Sequence, residues 1–239
     1  MALMDPEVHV RATTTSTNDD IHRLAEAGAP DGTVVMADAM TAGRGSRGRT
    51  WHAELGGVWI SVLRRPAASI ETAVLSLRVG LGLAAVLQQL VGHPVALKWP
   101  NDLVVGQRKV GGILCEMRWH GARPAWVAIG VGVNVANRLP DAMRHTATTL
   151  AEVVPGLSLV AVRDAVIPVL RTVKVDDTVL DPLEIAAFDR RNWLRGRALR
   201  APVKGTIGGI DQSGGLEVTG TDGTSHVLRA GDLILSGTA

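Results

Sequence analysis

Between residues 41 and 51 the chain reads Thr-Ala-Gly-Arg-Gly-Ser-Arg-Gly-Arg-Thr-Trp, so that Gly43, Gly45 and Gly48 alternate with Arg44, Arg47 and Arg49 ahead of Trp51. Each glycine inside a helix or strand is unfavourable by roughly 0.5–1 kcal/mol relative to alanine. Any fold of this chain must therefore carry an irregular basic loop between the apolar runs Thr33–Ala37 and Val58–Leu63, both of which read as strands. Backbone N–H groups and guanidinium forks on such a loop can wrap a phosphate while the indole packs on something flat. The segment predicts a nucleotide phosphate site, set against a merely solvated basic turn.

The same glycines satisfy G-x-G-x-x-G, but two common meanings of that pattern fail on context. A dinucleotide fingerprint opens a helix at its third glycine, whereas Arg49-Thr-Trp-His52 and Gly56-Gly57 start no helical period. A protein-kinase loop requires V-A-I-K, H-R-D and D-F-G segments, and the sequence has none.

A length of 239 residues with 46% hydrophobic content is enough for a sizeable core. A net charge of +2 does not by itself call for nucleic acid, although the pI is about 9.1. No uninterrupted apolar run of membrane-spanning length is read, and Met1-Ala-Leu-Met-Asp-Pro6 lacks a signal-peptide pattern, so the expectation is a cytoplasmic chain with no membrane partner. The single cysteine, Cys115, lies in an apolar run and reads as a small core residue. The histidines show no ligand spacing, so no protein-bound metal is expected. Of the 25 basic residues only four are lysine, and two of these, Lys98 and Lys109, flank Pro100-Asn101-Asp102, where a compact ammonium suits a specific role.

Along the chain, Val8–Ala12 predicts a strand and Ser16-Thr17-Asn18-Asp19 the cap of a helix through Ala27. Ser69 is expected to cap a helix ending at Val91 before Gly92. Val95–Trp99, Leu103–Val105, Lys109–Trp119 and Ala125–Val135 read as strands, with Gly106-Gln107 as a hairpin turn. Leu159–Lys174 is helical with Pro168 expected to kink or end it, and Asp181-Pro182 starts a helix to Leu194. After Arg197 the β-type runs Ala201–Ile207, Gly215–Thr219, Ser225–Leu228 and Asp232–Leu235 alternate with glycine turns, which fits a small five-stranded barrel. The boundary falls near Trp193–Gly196, giving a larger domain over 1–194 and a barrel over 195–239.

Two further segments complete the pattern. Lys98-Trp-Pro-Asn-Asp-Leu103 places a cation, an amide and a carboxylate on a stiff turn, and Arg108-Lys-Val-Gly-Gly-Ile-Leu-Cys-Glu116 sets Lys109 beside Gly111 and Gly112, where a ligand can approach backbone. Gly130-Val-Gly-Val-Asn134 ends a strand on an amide. With Ser16-Thr17-Asn18 and the glycine–arginine loop, this ordered set resembles biotin protein ligase over nearly the whole chain.

The resemblance implies an α+β fold, a mixed β-sheet with helices on one face followed by an SH3-like β-barrel. It implies ATP with magnesium as co-substrate, biotin as substrate and the biotin carboxyl carrier domain of a carboxylase as partner. Biotin is activated as biotinyl-5′-AMP and then transferred to a carrier lysine. By similarity Arg44, Arg47 and Lys109 neutralise the α-phosphate, Asp102 accepts or orients the lysine proton beside Asn101, and Lys98 and Gly45 complete the pocket. Ser16, Thr17 and Asn18 hold the ureido ring, Trp51 packs on the adenylate, Gly43, Gly111 and Gly112 allow close approach, and Asn134 meets adenine. The ligating motifs begin within the first twenty residues, so a form without an N-terminal DNA-binding module is expected, with no DNA partner. Oligomeric state, monomer or homodimer, stays open.

Two positions depart from the family pattern. Met40 stands where members commonly carry a biotin-contacting Gln, and a thioether has no amide donors. Ser46 replaces a frequent Arg, which predicts looser retention of the adenylate. The alternatives are a lipoate or octanoate ligase or transferase and, in another class, a nucleic-acid-binding module. The latter is disfavoured by the absence of Tyr and the single Phe.

Overall fold

A computed structural model describes residues 6–236. The leader-like pattern sought at the start of the chain concerns residues 1–5, which lie outside that range. Strands β1 (Val8–Thr14), β2 (Val34–Met40), β3 (Val58–Arg64), β4 (Val95–Lys98), β5 (Asp102–Val105), β6 (Arg108–His120) and β7 (Arg123–Val133) form one mixed sheet in the order β1-β2-β3-β7-β6-β5-β4. Only β1 and β2 run parallel, because helix α1 (Thr17–Glu26) carries the chain across between them. The remaining neighbours are antiparallel.

Period-two alternation gives the sheet two distinct faces. Val34, Ile60, Val62, Ile129 and Val131 meet helix α2 (Thr72–Val91) and helix α3 (Leu159–Thr172) in the main core, whereas Val35, Leu63 and Ala128 meet Ile21 and Ala25 of α1. Helices on a single face were expected, and this placement corrects that. The consecutive apolar residues of β2 and β3 supply both sides, so both must be covered.

Local signals account for most boundaries. Helix α4 (Pro182–Arg191) starts with a reciprocal capping box, Asp181 accepting from the Leu183 and Glu184 N–H groups and Glu184 accepting from that of Asp181. Gly92 ends α2 at φ 65°. Helix α2 begins at Thr72 with Glu71, not Ser69, in the cap position, and Pro168 neither ends nor displaces α3, which runs on to Thr172. With a mean hydropathy of 1.7, α2 is long and apolar enough to cross a membrane, where no such run was expected. Its buried face instead packs on the sheet, and Arg78 within it is paired with Glu184 and Asp177.

Strands β8 (Ala198–Ala201), β9 (Gly205–Ile210), β10 (Leu216–Gly220), β11 (Ser225–Leu228) and β12 (Ile234–Leu235) form a second, antiparallel sheet in the order β11-β10-β9-β8-β12. That order matches an SH3-like arrangement. The expected single run from Ala201 to Ile207 is split at Pro202, which has no N–H to give a ladder. Leu199, Ile207, Leu216 and Val218 join the same apolar cluster as the main core, so the core is continuous across the expected division.

A buried hydrogen bond from Trp99 Nε1 to the Gly214 carbonyl, 2.8 Å long, ties the β4–β5 turn to the second sheet. Trp99→Phe strands that buried carbonyl, and a loss of about 1–3 kcal/mol is expected. Urea unfolding should show a lower midpoint at unchanged m-value; an unchanged midpoint would assign the bond no role in stability.

Candidate active site

The α1-side residues of β3, β7 and β6 lie in transverse rows. Leu63, Ala128 and Glu116 form one row, Ser61, Gly130 and Leu114 the next, and Trp59, Gly132 and Gly112 the third. Beyond the patch covered by α1, glycine removes side chains from this face, and a cavity of about 310 Å³ opens over it. The glycines are sterically required. A Cβ at Gly130 would lie 2.4 Å from Asn18 Oδ1, and one at Gly132 2.6 Å from the Trp51 ring.

One end of the cavity is polar and neutral. Ser16, Thr17 and Asn18, at the start of α1, are all buried and line it. Ser16 occupies the helix cap position, yet its side chain makes no capping bond. Ser61 Oγ lies 2.7 Å from Thr17 Oγ1 and 2.6 Å from Asn18 Oδ1. Met40 turns its sulfur to the Thr17 N–H at 3.4 Å, so the thioether serves as a weak acceptor for the helix start.

The other end is cationic. The glycine–arginine loop folds back on itself through Gly45 N–H to Arg49 O at 2.7 Å and Trp51 N–H to Gly43 O at 2.8 Å. A Cβ at Gly43 would lie 2.5 Å from Trp51 O, so that turn needs glycine. Arg44 Nη1 donates to Asp19 Oδ1 at 2.6 Å and Nη2 to Glu116 Oε2 at 2.8 Å. Burial lowers its affinity for the proton, but Asp19 and Glu116 outweigh this and raise the guanidinium pKa. Trp51 lies over Gly112 and Gly132 with its edge toward Trp59, and Lys109 Nζ stands 5.0 Å from the Trp51 ring centroid. Lys109 is ion-paired with Asp102 at 2.5 Å across the β5–β6 turn.

Of the residues singled out from sequence, Ser16, Thr17, Asn18, Met40, Arg44, Gly45, Ser46, Trp51, Lys98, Asn101, Asp102, Lys109, Gly112 and Asn134 line this one cavity. Asn101 is held by its Nδ2 donating to Ile113 O at 2.7 Å. Lys98 Nζ sits 5.3 Å from the Trp193 ring centroid. The Asn134 amide donates to Thr148 O and accepts from Asn137, so much of its capacity for adenine is already engaged.

Three of the expected site residues lie off the cavity wall. Gly111 points to the other side of β6, where a Cβ would meet Leu103 at 3.0 Å, because adjacent strand residues face opposite ways. Arg47, at φ 59°, is turned to Asp232 of the second sheet in a 2.9 Å ion pair and does not line the cavity. Gly43 acts at the loop's own crossing and not on the cavity wall.

Ser61, Gly130, Gly132, Asp19 and Glu116 were missed. The two glycines were legible as alternate positions of a strand, but the partners of Ser61 and Glu116 come from α1, which no local pattern places there. Cys115 is held in the core, its thiol pushed up to about 12 by burial.

The chain is similar to known proteins. Residues 10–134 match the profile described as the Biotin/lipoate A/B protein ligase family. The bifunctional ligase/repressor BirA of Bacillus subtilis is 39% identical over 142 residues, 57% of this chain and 44% of that protein. The biotin–[acetyl-CoA-carboxylase] ligase of Mycobacterium tuberculosis is 37% identical over 155 residues, 61% of this chain and 55% of its own length. The chain thus spans about half the length of the curated relatives it matches. The Aquifex aeolicus biotin protein ligase in complex with biotin and ATP superposes with a TM-score of 0.78 at 25% identity, covering 96% of this chain and 98% of that one. The matched residues 10–134 include the start of α1, the glycine–arginine loop, the Lys109 turn and the glycine floor, so the chain belongs to the biotin/lipoate A/B protein ligase family.

Proposed function

We propose that the protein activates biotin with MgATP as biotinyl-5′-AMP and transfers the biotinyl group to a lysine of a carboxyl carrier domain. One observation carries this reading: a single cavity joins a neutral, hydroxyl-and-amide end to a cationic end over a floor stripped of side chains. An acid with a polar neutral head fits the first, and its carboxylate then meets a nucleotide α-phosphate at the second. The named relatives and the Aquifex aeolicus complex with biotin and ATP support the choice of substrates.

In the first step a biotin carboxylate oxygen attacks the α-phosphorus and the bond to pyrophosphate breaks. Negative charge gathers on the phosphoryl oxygens, and Arg44 and Lys109, which share the cavity wall with Arg49 and Lys98, are placed to meet it. Magnesium enters with the triphosphate and serves the leaving pyrophosphate. In the second step the carrier amine attacks the acyl carbon, AMP leaves, and a proton departs from the nitrogen. Asp102, with Asn101 beside it, orients or accepts that proton. Trp51 offers a flat apolar surface to the nucleotide.

A second reading, a lipoate or octanoate ligase, draws on Met40, whose thioether favours an apolar acid at a place where an amide would favour a ureido group. Adenylate formation assayed with biotin, lipoate and octanoate in parallel decides between them. Biotin is expected to be the preferred acid; preference for either fatty acid would overturn the biotin assignment.

Three outcomes follow from these roles. Lys109→Ala should slow pyrophosphate release at saturating biotin by on the order of 10²-fold or more without unfolding the protein, and a near-wild-type rate would remove Lys109 from the chemistry. Asp102→Asn should impair transfer from preformed biotinyl-AMP more than adenylate synthesis in single-turnover assays. Equal losses would reassign Asp102 to holding Lys109. Ser46→Arg restores a charged donor beside the intermediate and should slow its escape about tenfold, since a hydrogen bond to a charged group is worth about 1.5–3 kcal/mol. Release of adenylate into solution measures this, and an unchanged rate would show that position 46 does not govern retention.

A further inference from the structure

We propose that Glu116 is the positioning residue of this site, one carboxylate that fixes both the Asn18 amide at the acid end and the Arg44 guanidinium at the phosphate end. The proposal rests on the adenylating reading given above. Glu116 stands in the row next to the cavity floor and is not part of the cavity wall, whereas Asn18 and Arg44 both are. It therefore acts through them.

The geometry makes each orientation a consequence of the carboxylate. Glu116 Oε2 accepts from Asn18 Nδ2 at 2.7 Å. An ionised carboxylate can only accept, so the amide must turn its NH2 group to Glu116 and its oxygen to Ser61, at 2.6 Å. The hydrogen-bonding sense of the acid end is thus set from β6. The same Oε2 accepts from Arg44 Nη2 at 2.8 Å, and Asp19 takes Nη1 at 2.6 Å. With both terminal nitrogens held, the guanidinium plane cannot swing about its stem.

A third group faces the carboxylate. His22 Nδ1 receives the Trp126 indole N–H at 3.0 Å, and an indole can only donate. This turns the other ring nitrogen, Nε2, toward Glu116 Oε2 at 3.7 Å, beyond hydrogen-bond distance. Burial pushes the Glu116 carboxyl up, but His22, Asn18 and Arg44 together hold it at about 2, so it stays ionised at neutral pH. A half-buried charge serving only packing would be replaceable by an apolar side chain; here its partners are the two ends of the cavity wall.

A double-mutant cycle in biotin-dependent ATP–pyrophosphate exchange tests this, with wild type, Glu116→Gln, Arg44→Ala and the double variant, each checked for fold by circular dichroism and thermal melting. Glu116→Gln alone is expected to lower kcat by on the order of 10²-fold, the scale of misplacing a reacting geometry by about 1 Å, and to raise KM for biotin as the Asn18 amide loses its fixed sense. Added to Arg44→Ala it should lower kcat by less than about twofold further, because residues acting through one another are not additive. Singles that multiply in the double variant, or a folded Glu116→Gln enzyme with wild-type kcat and KM, would overturn the proposal. Should Glu116→Gln fail to fold, Glu116→Asp, which keeps the charge on a stem one methylene shorter, enters the same cycle with the same criteria. A wild-type protein that exchanges no pyrophosphate would instead overturn the adenylating reading, and this proposal with it; an active wild type with multiplicative singles overturns this proposal alone.

Discussion

A β-sheet face normally projects a side chain at every second residue, and the site in this protein depends on suspending that rule at Gly112, Gly130 and Gly132. The three lie on adjacent strands in neighbouring rows, so the missing volume is contiguous. The opposite face, Gly111 apart, carries side chains such as Ile60, Val62, Ile129 and Val131 against α2 and α3. One sheet can thus be a packed wall on one side and a cavity floor on the other. Asn18 and Trp51 both come within 3 Å of where glycine Cβ atoms would be, which means that the neutral end and the cationic end are each seated directly on backbone.

Charge is managed by pairing. Arg44 faces Asp19 and Glu116, Lys109 faces Asp102, and Arg47 faces Asp232. Cations clustered around one loop would repel one another and raise the cost of folding, and each carboxylate offsets this while fixing a direction for its partner. Under the proposed reading, a phosphate arriving at Arg44 or Lys109 would exchange with their carboxylates, and displacing Asp102 from Lys109 would free it for its proposed duty.

The second sheet belongs to the same machine. It shares the core through Leu199, Ile207 and Leu216, holds the β4–β5 turn through Trp99, and reaches the glycine–arginine loop through Asp232. Little in the loop is apolar, so its shape depends on such polar ties: its own crossing hydrogen bonds, the Arg44 pairs and the Arg47 contact with the second sheet.

Much was legible along the chain because the relevant physics is local. Glycine spacing, the Asp181-Pro182 capping pattern, the Gly106 turn and the alternation of apolar runs determined the elements, the loop and most residues that line the cavity. Residue type separated the cationic groups of the cavity from its neutral hydroxyl and amide groups. Tertiary structure alone decided which side of β6 each glycine serves, since adjacent residues look equivalent until a register is set, and so kept Gly112 on the cavity floor, put Gly111 on the other face and added Gly130 and Gly132. It also decided that Arg47 belongs to Asp232 and that Glu116, separated from Asn18 by 98 positions and from Arg44 by 72, joins the two ends of the site. A carboxylate's partners are set by distance in space, which the sequence encodes only through the whole fold.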